Sequence, residues 1–196
     1  MKNDSNWIIV RIDGKIAAIS TDYRHLASIT ARLAKDCKTR YGEITATTAC
    51  FDEVWQLKET TGWEDMMLFG TDFQKKVWKK LYELTRPENN GSRTPRLISY
   101  SDFAELCQNR AGVRAVAHAV GLNPISILIP CHLVVPKEAI DKMKMINKKA
   151  EATIFKGVDL CLNTILKNEG IDFGNYAMGP GLKRKLISME LTGTDL

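Results

Sequence analysis

Two apolar-rich runs, Trp7–Ile12 and Lys15–Ser20, lie near the start of the chain on either side of Asp13-Gly14. Apolar and β-branched side chains are typical of strands. An Asp-Gly pair favours the two-residue turn with positive φ that joins antiparallel strands. The pattern therefore predicts a β-hairpin over residues 7–20.

The period of the pattern changes after the hairpin. Leu26, Ile29 and Leu33 recur at the spacing of one helix face, and the threonine-rich segment 43–49 is typical of a strand. We interpret residues 1–68 as a small α+β domain in which no catalytic motif stands out.

Thr71 and Gln74 have the spacing of a capping box, in which each side chain accepts a hydrogen bond from the other residue's backbone N–H. The apolar positions that follow share one helix face: Phe73, Val77, Leu81 and Leu84. The basic positions are placed largely outward: Lys75, Lys76, Lys79 and Lys80. A helix from about residue 72 is predicted, and a loop over 86–96, where Pro, Gly and Asn accumulate.

Two short helices are predicted next, over 101–108 and 113–121, with a break at Gly112. Phe103 and Leu106 are expected to face inward. Two short helices joined by a tight turn are typical of a helix-turn-helix. Small residues line the second helix: Ala115, Ala117, Ala119 and Gly121.

The last part of the chain combines an apolar run with a lysine-rich segment. Residues 125–130 are predicted as extended chain, and they lead into Cys131-His132. Beyond them we predict two helices, over about 139–150 and 153–168, the second ending near Gly170.

The net charge of +5 is unevenly distributed. Residues 1–68 contain 9 basic and 10 acidic side chains, whereas residues 69–196 contain 19 basic and 13 acidic ones, a net charge of +6. A basic part of this kind favours a polyanion as partner, although a solvated lysine-rich surface is the commoner explanation.

The chain has five cysteines: Cys37, Cys50, Cys107, Cys131 and Cys161. Their odd number and the lack of a C-x-x-C pair argue against a disulfide framework and a zinc ribbon. His25, His118 and His132 show no ligand spacing, so we expect neither metal nor cofactor.

No apolar run is long enough to span a membrane. The acidic Asp4 argues against a signal peptide. We expect a cytoplasmic protein with access to the nucleoid, or a nuclear one if the source is a eukaryote, with no membrane partner.

Cys131 and His132 form the most informative pair in the chain. A thiol reacts as its thiolate, and an ordinary thiol with a pKa near 8.5 is only slightly ionised at pH 7, so an adjacent base matters. Neighbouring side chains on a strand point to opposite faces. Contact would therefore need a turn at Cys131 or a bridging water, and we favour the water. The bland alternative is a buried, unreactive cysteine, which we assign to the other four.

Several ordered motifs resemble those of the O6-alkylguanine-DNA alkyltransferases, the methylated-DNA–protein-cysteine methyltransferases. Residues 69–78 (FGTDFQKKVW) look like the family's FGTxFQxxVW helix. The remaining matches occur in the same order and at fitting intervals: Ile98-Ser99-Tyr100, Arg114-Ala115-Val116, Asn123-Pro124, Ile129-Pro130-Cys131-His132 and Asn175-Tyr176.

The resemblance implies a role for each matched residue. Cys131 would accept the alkyl group, His132 would deprotonate it through a water, Glu190 would orient His132, and Asn123 would brace the turn beneath the cysteine. The lesion and the DNA would be contacted by a further set: Tyr100 on a phosphate, Arg114 inserted in the stack, Ala115 on the helix in the groove, the main chain of Val134, Tyr176 on the flipped base, and Ala177 where the family commonly has serine.

The resemblance also implies the architecture and the reaction. We expect an α+β chain with a small N-terminal, ribonuclease H-like domain (1–68). A mostly helical winged helix-turn-helix domain (69–196) would carry the active-site cysteine. The implied substrate is double-stranded DNA containing O6-alkylguanine, with O4-alkylthymine as a further candidate. Each molecule would react once because a thioether forms, and we expect a monomer with no obligate protein partner.

Three further features depart from the family pattern, besides Ala177. Leu133 stands where arginine usually follows Cys-His, Ala117 stands where glycine usually follows Arg-Ala-Val, and residues 136–172 replace a short loop. We interpret this insertion as a helical flap beside the pocket or a partner surface. Two alternatives stay open: a non-catalytic lesion-binding or regulatory relative, and a Cys-His hydrolase, for which no oxyanion-hole motif is evident.

Overall fold

The structure, a computed structural model, describes residues 6–35, 42–86, 96–153, 166–167 and 170–193, with the side chains of 30, 32–35 and 147–153 left out. Its elements in chain order are β1 (Trp7–Ile12), β2 (Lys15–Ser20), α1 (Tyr23–Lys35), β3 (Ile44–Ala49), α2 (Phe51–Thr60), α3 (Asp72–Glu83), β4 (Ile98–Ser99), α4 (Tyr100–Leu106), α5 (Val113–Gly121), β5 (Val134–Val135), α6 (Lys137–Thr153) and α7 (Pro180–Thr192). Short 3₁₀ turns cover Arg110–Gly112 and Cys131–Leu133.

The chain divides into two compact units. The first unit contains residues 1–83 and 118–131, and the second contains residues 84–117 and 132–196. The chain passes from the first unit to the second for the last time at the peptide bond between Cys131 and His132.

The first unit contains an antiparallel sheet of order β2-β1-β3. The predicted hairpin is confirmed, and Asp13 and Gly14 adopt φ values of 50° and 77°, as a two-residue turn of this kind requires. The strand predicted over the threonine-rich segment is β3, which pairs with the other side of β1. β1 is the central strand because it pairs with β2 along one edge and with β3 along the other, and its apolar residues include the fully buried Trp7 and Ile12.

The outer edge of β2 is covered by two connecting segments of the same unit. Ile16 donates to Asp65 O (2.9 Å) and accepts from Met67 N (2.8 Å). Ile19 donates to Pro124 O (3.0 Å) and accepts from Ser126 N (3.2 Å). An edge strand normally exposes a row of unpaired backbone groups, and these bonds satisfy them. They also tie the loop that leads to Cys131 to the sheet.

Helix α1 packs on β2 and contributes the buried Leu26 and Ile29, as predicted; Leu33 lies outside the described side chains. Burial of this helix face closes a hydrophobic core built from the sheet, the helix and the segment before α3. Its buried members are Val10, Ile12, Ala17, Ala18, Leu26, Ile29 and Phe69.

Helix α3 begins with the predicted capping box: Thr71 N donates to Gln74 Oε1 (2.9 Å) and Gln74 N donates to Thr71 Oγ1 (3.2 Å). The predicted apolar stripe is partly wrong, because Phe73 is 37% exposed. Val77, Leu81 and Leu84 are buried as predicted. The buried face also includes Trp78, whose indole Nε1 donates to Ala119 O (2.8 Å). Phe73 is exposed because it lies in the first turn of the helix, at the edge of this packing.

The outward lysines of α3 do not all lie free in solvent. Lys75 and Lys76 are exposed, whereas Lys79 lies over the Trp63 ring, with its Nζ atom 4.6 Å from the centroid. Lys80 pairs with Glu83 at 2.9 Å. The predicted helix is therefore confirmed, and part of its positive charge is engaged within the first unit.

The second unit contains a two-stranded parallel pair, β4 with β5. Ser99 caps α4 by accepting from Asp102 N at 3.1 Å. Phe103 is fully buried as predicted, but Leu106 is 43% exposed, which corrects the expectation that it faces inward. Leu106 is the last residue of a helix of 7 residues, too short to bury two successive turns.

Helices α5 and α6 confirm the predictions for residues 113–121 and 139–150, and α7 contains Glu190. Most of the predicted loop 86–96 and of the predicted helix 153–168 lies outside the described residues. The core of the second unit joins α6, α7 and the segment between them. Its buried members are Val135, Ala139, Leu166, Ile171, Phe173 and Ile187.

Candidate active site

Cys131 lies at the end of a loop of successive turns, in the first unit. The sequence predicted extended chain over 125–130, and this is wrong: Leu128 N donates to Ser126 O (3.0 Å), Ile129 N to Ile125 O (3.1 Å) and Cys131 N to Ile129 O (2.8 Å). Each of these bonds links residues only two to four positions apart, which bends the chain. The turns leave Cys131 buried, with 8% of its surface exposed.

One residue of this loop holds an unfavourable backbone conformation. Ile127 has a φ of 73°, in the left-handed region that β-branched residues avoid. Its side chain is fully buried. A conformation of this kind costs about 1–3 kcal/mol and persists only where the surroundings determine it. A stretch of apolar residues carries no signal for such a turn, which is why the pattern indicated a strand.

Asn123 braces the loop from within. Its Nδ2 donates to Ile129 O at 2.8 Å and to the Sγ of Cys131 at 3.1 Å, and its Oδ1 accepts from Ile125 N at 3.1 Å. Asn123 is 2% exposed, so these bonds form away from solvent. A donor aimed at a sulfur stabilises the thiolate more than the thiol. The same side chain therefore contacts both the loop backbone and the sulfur of Cys131.

His132 and Glu190 form a buried pair in the second unit. Nε2 of His132 lies 3.1 Å from Oε1 of Glu190, and the two side chains are 0% and 2% exposed. A carboxylate can only accept, so the neutral ring holds its proton on Nε2 and keeps Nδ1 as its basic nitrogen. Cys131 and His132 begin the same 3₁₀ turn, so the turn needed at Cys131 is present.

Helix α7 brings Glu190 to His132 and also positions a second buried group. Lys183 is 1% exposed, its Nζ donates to Val134 O at 3.0 Å, and the same atom lies 6.0 Å from the Tyr100 ring centroid. Lys183 and Glu190 are seven residues apart, close to two helical turns, so both lie on one face of α7. Lys183 was not among the predicted site residues, although this interval from Glu190 could have indicated it.

The predicted DNA and lesion contacts all belong to the second unit. Arg114 and Ala115 are exposed in the first turn of α5, and Ala177 is exposed before α7. Tyr100 and Tyr176 are partly buried, and Val134 is fully buried. The exposed positions are accessible to a macromolecular ligand, whereas Val134 can offer only its main chain.

Other predicted features differ in outcome. Leu133, in the position of the family's usual arginine, is fully buried and belongs to the protein interior. Cys50 is exposed and Cys107 partly exposed, so the expectation that both are buried packing residues is wrong; Cys37 and Cys161 lie outside the described residues. Within the described residues, no cluster of His, Cys, Asp and Glu could hold a metal ion, and no helix is long and apolar enough to cross a membrane.

Comparisons with known proteins find one matching family model and several similar proteins. Residues 72–153 match the family model of the 6-O-methylguanine DNA methyltransferase DNA-binding domain. A probable methylated-DNA–protein-cysteine methyltransferase of Acanthamoeba polyphaga mimivirus is 47% identical over 73 residues, 37% of this chain and 44% of the relative. The methylated-DNA–protein-cysteine methyltransferase of Haemophilus influenzae is 42% identical over 69 residues, 35% of this chain and 34% of the relative. The chain thus spans less than half the length of these relatives.

A solved structure supports the fold over most of the chain. The O6-methylguanine-DNA methyltransferase from the archaeon Pyrococcus kodakaraensis aligns with a TM-score of 0.53 and 22% identity, over 94% of this chain and 91% of that one. At this identity the likeness concerns the fold alone, and it agrees with a mixed α+β chain that has a small sheet and a mostly helical part. The resemblance seen in the sequence is confirmed, and residues 72–153 match the DNA-binding domain of the 6-O-methylguanine DNA methyltransferases.

Proposed function

We propose that this protein repairs alkylated DNA by transferring a methyl or other alkyl group from O6 of guanine to the Sγ of Cys131, once per molecule. An alkyl group on O4 of thymine is a second candidate substrate. The observation that carries the proposal is the buried pair of His132 and Glu190, where His132 directly follows in the chain a cysteine whose sulfur accepts a hydrogen bond from Asn123.

The reaction begins with the thiol proton. His132 takes it through a water molecule, using Nδ1, because Nε2 is engaged by Glu190. The negative carboxylate of Glu190 stabilises the imidazolium that results. The amide of Asn123 stabilises the thiolate. The two groups therefore act on opposite sides of the same proton transfer.

The thiolate then attacks the alkyl carbon. The bond from Sγ to carbon forms as the bond from carbon to O6 breaks, and the electron pair stays with the guanine. A proton from solvent, replacing the one given up by Cys131, restores the N–H of guanine. The product is a thioether, which has no good leaving group, so the cysteine is not regenerated.

The alkylated base must leave the helix stack before an in-line attack can occur. We propose that Arg114 fills the vacated space and that Tyr100 presses on the adjacent phosphate. Tyr176 would stack on the flipped base, and the main chain of Val134 would accept from the guanine amino group. Lesions arise in any sequence, so phosphate contacts should supply most of the affinity, and the net charge of +6 over residues 69–196 supports this.

The finer architecture is part of the proposal. We propose a ribonuclease H-like domain over residues 1–68 and a winged helix-turn-helix domain over 69–196. In the latter, α4 and α5 would form the helix-turn-helix, and the exposed Ala115 would lie in the groove. Action as a monomer, the absence of an obligate protein partner, and a cytoplasmic location stay predictions.

A mass-spectrometric experiment tests the function. The protein is incubated with a duplex containing O6-methylguanine, digested, and searched for a methyl group, with an unmodified duplex and Cys131→Ser as controls. We expect one methyl group per molecule on the Cys131 peptide. An unmodified protein that binds the lesion tightly would support a non-catalytic relative instead. Repeated turnover of an ester or amide would support a hydrolase.

A further inference from the structure

Pro136, at the start of the insertion, and Gly174, just after its end, lie close together in the second unit. A Cβ atom built on Gly174 would lie 3.1 Å from the Pro136 ring. Gly174 also has a φ of 81°, so glycine suits both the conformation and the close approach. The chain therefore enters and leaves this part of the unit at neighbouring points.

The described part of this segment packs against α7. Ala139 of α6 and Leu166, Ile171 and Phe173 share a buried core with Ile187 of α7. Side chains at the margin of this core add to the contact: Leu97, Ile140, Met143, Ile146 and Leu191. The described apolar residues of the insertion therefore lie in the interior of the second unit, and its role as a helical flap beside the pocket or a partner surface stays a prediction.

Arg184 of α7 forms hydrogen bonds with the backbone of Leu166 and Ile171. Its Nη1 donates to Leu166 O at 2.5 Å and its Nη2 to Ile171 O at 2.6 Å. The guanidinium also lies over the Phe173 ring, 4.8 Å from the centroid. A planar group that holds two carbonyl oxygens and stacks on an aromatic ring has a fixed orientation.

The two faces of α7 have different partners. Lys183 and Glu190 lie on the face that contacts Val134 and His132. Arg184, one residue further, lies about 100° around the helix, and Leu191 lies two turns below it on the same side. Contacts on this second side limit rotation of the helix, and rotation would move the Glu190 carboxylate relative to His132.

We propose that helix α6 and the residues Leu166, Ile171 and Phe173 form a brace that sets the rotation of α7, and that Arg184 is the positioning residue that holds Glu190 on His132. The effect on alkyl transfer rests on the proposed function. The effect on the geometry of His132 does not depend on it, so the two can be tested separately.

The test uses Arg184→Met, with Lys167→Met as control because it removes an equal charge from an exposed position of the same segment. The ¹⁵N resonances of the histidine rings are measured in the full chain. We expect those of His132 to shift in Arg184→Met and those of His25 and His118 to stay unchanged. Arg184→Lys, which retains the charge but not the two-pronged contact, should give an intermediate shift and serves if the methionine variant does not fold.

A double-mutant cycle supplies the kinetic test. Arg184→Met should slow single-turnover methyl transfer by about 10-fold or more, since small displacements of catalytic groups have effects of this size. In a Glu190→Gln background the same change should have little further effect, because the positioned group is already altered.

Unchanged His132 resonances in a folded Arg184 variant would overturn the brace. So would an equal loss of rate in both backgrounds. If the wild-type protein transfers no methyl group, the proposed function fails, and the His132 resonances still decide on the brace.

Discussion

The Nε2 atom of His132 lies 3.1 Å from Oε1 of Glu190, although 58 residues separate them in the chain. Glu190→Gln keeps a group that can accept this hydrogen bond but removes the charge that stabilises the imidazolium. We expect methyl transfer to slow by about 100-fold, a typical contribution of general acid-base catalysis. Single-turnover kinetics measure the rate, and DNA affinity should be unchanged. Glu105→Gln, at an exposed glutamate, is the control. A normal rate in Glu190→Gln would remove Glu190 from the mechanism.

Asn123→Ala should affect both stability and reactivity. The variant leaves Ile125 N and Ile129 O without the partner they have in the structure, which should lower the free energy of unfolding by about 1–3 kcal/mol. It also removes the donor to Sγ of Cys131, so iodoacetamide should modify Cys131 more slowly. Urea denaturation and peptide mass spectrometry measure the two effects, with Gln56→Ala, at an exposed amide, as control. Faster modification would mean that Asn123 shields the sulfur without stabilising the thiolate.

Leu133→Arg restores the residue common in the family but should not improve function. Leu133 is fully buried, and an unpaired charge in the interior lowers the free energy of unfolding by about 3–5 kcal/mol. Leu133→Met, which conserves volume, should lower it by less than about 1.5 kcal/mol. Thermal or urea unfolding distinguishes the two. A stable arginine variant with stronger DNA binding would show that position 133 can reach solvent and DNA.

Arg114→Ala should separate base flipping from chemistry. Transfer from a duplex should slow by about 10-fold or more, because Arg114 would no longer fill the space left by the flipped base. A 10-fold loss corresponds to about 1.4 kcal/mol of stabilisation. Transfer from free O6-methylguanine should not change, since that substrate needs no flipping. Arg110→Ala removes the same charge from a nearby side chain that is 85% exposed, and it should have a smaller effect. Equal losses on both substrates would place Arg114 in the chemistry.

Local elements were predictable where a local signal exists. The hairpin follows from Asp13-Gly14, and the start of α3 follows from Thr71 and Gln74, because these residues determine the backbone within a few positions. The exposure of Phe73 and Leu106 was not predictable. Helical spacing indicates which positions share a face, but it does not indicate how far the neighbouring elements cover that face.

The turns before Cys131 show a stronger limit. Residues 125–130 are nearly all apolar, and a short apolar run does not distinguish a strand from a buried irregular segment. The left-handed Ile127 is maintained by Asn123, by the sheet residue Ile19 and by burial of its own side chain. These contacts form only when the chain folds, so no local sequence pattern predicts the left-handed conformation of Ile127.

The sequence by itself determined the candidate site residues: a cysteine followed by a histidine, an asparagine eight residues before the cysteine, and a glutamate near the end of the chain, recognisable by ordered motifs. The tertiary structure decided which atoms meet. It turned Asn123 onto the sulfur, brought Lys183 to Val134, and buried Leu133. It also placed Ala139, Leu166 and Ile171 of the insertion in one core with Ile187 of α7. Motif spacing records which residues are present, but burial and hydrogen bonding depend on segments far apart in sequence, and these become neighbours only on folding.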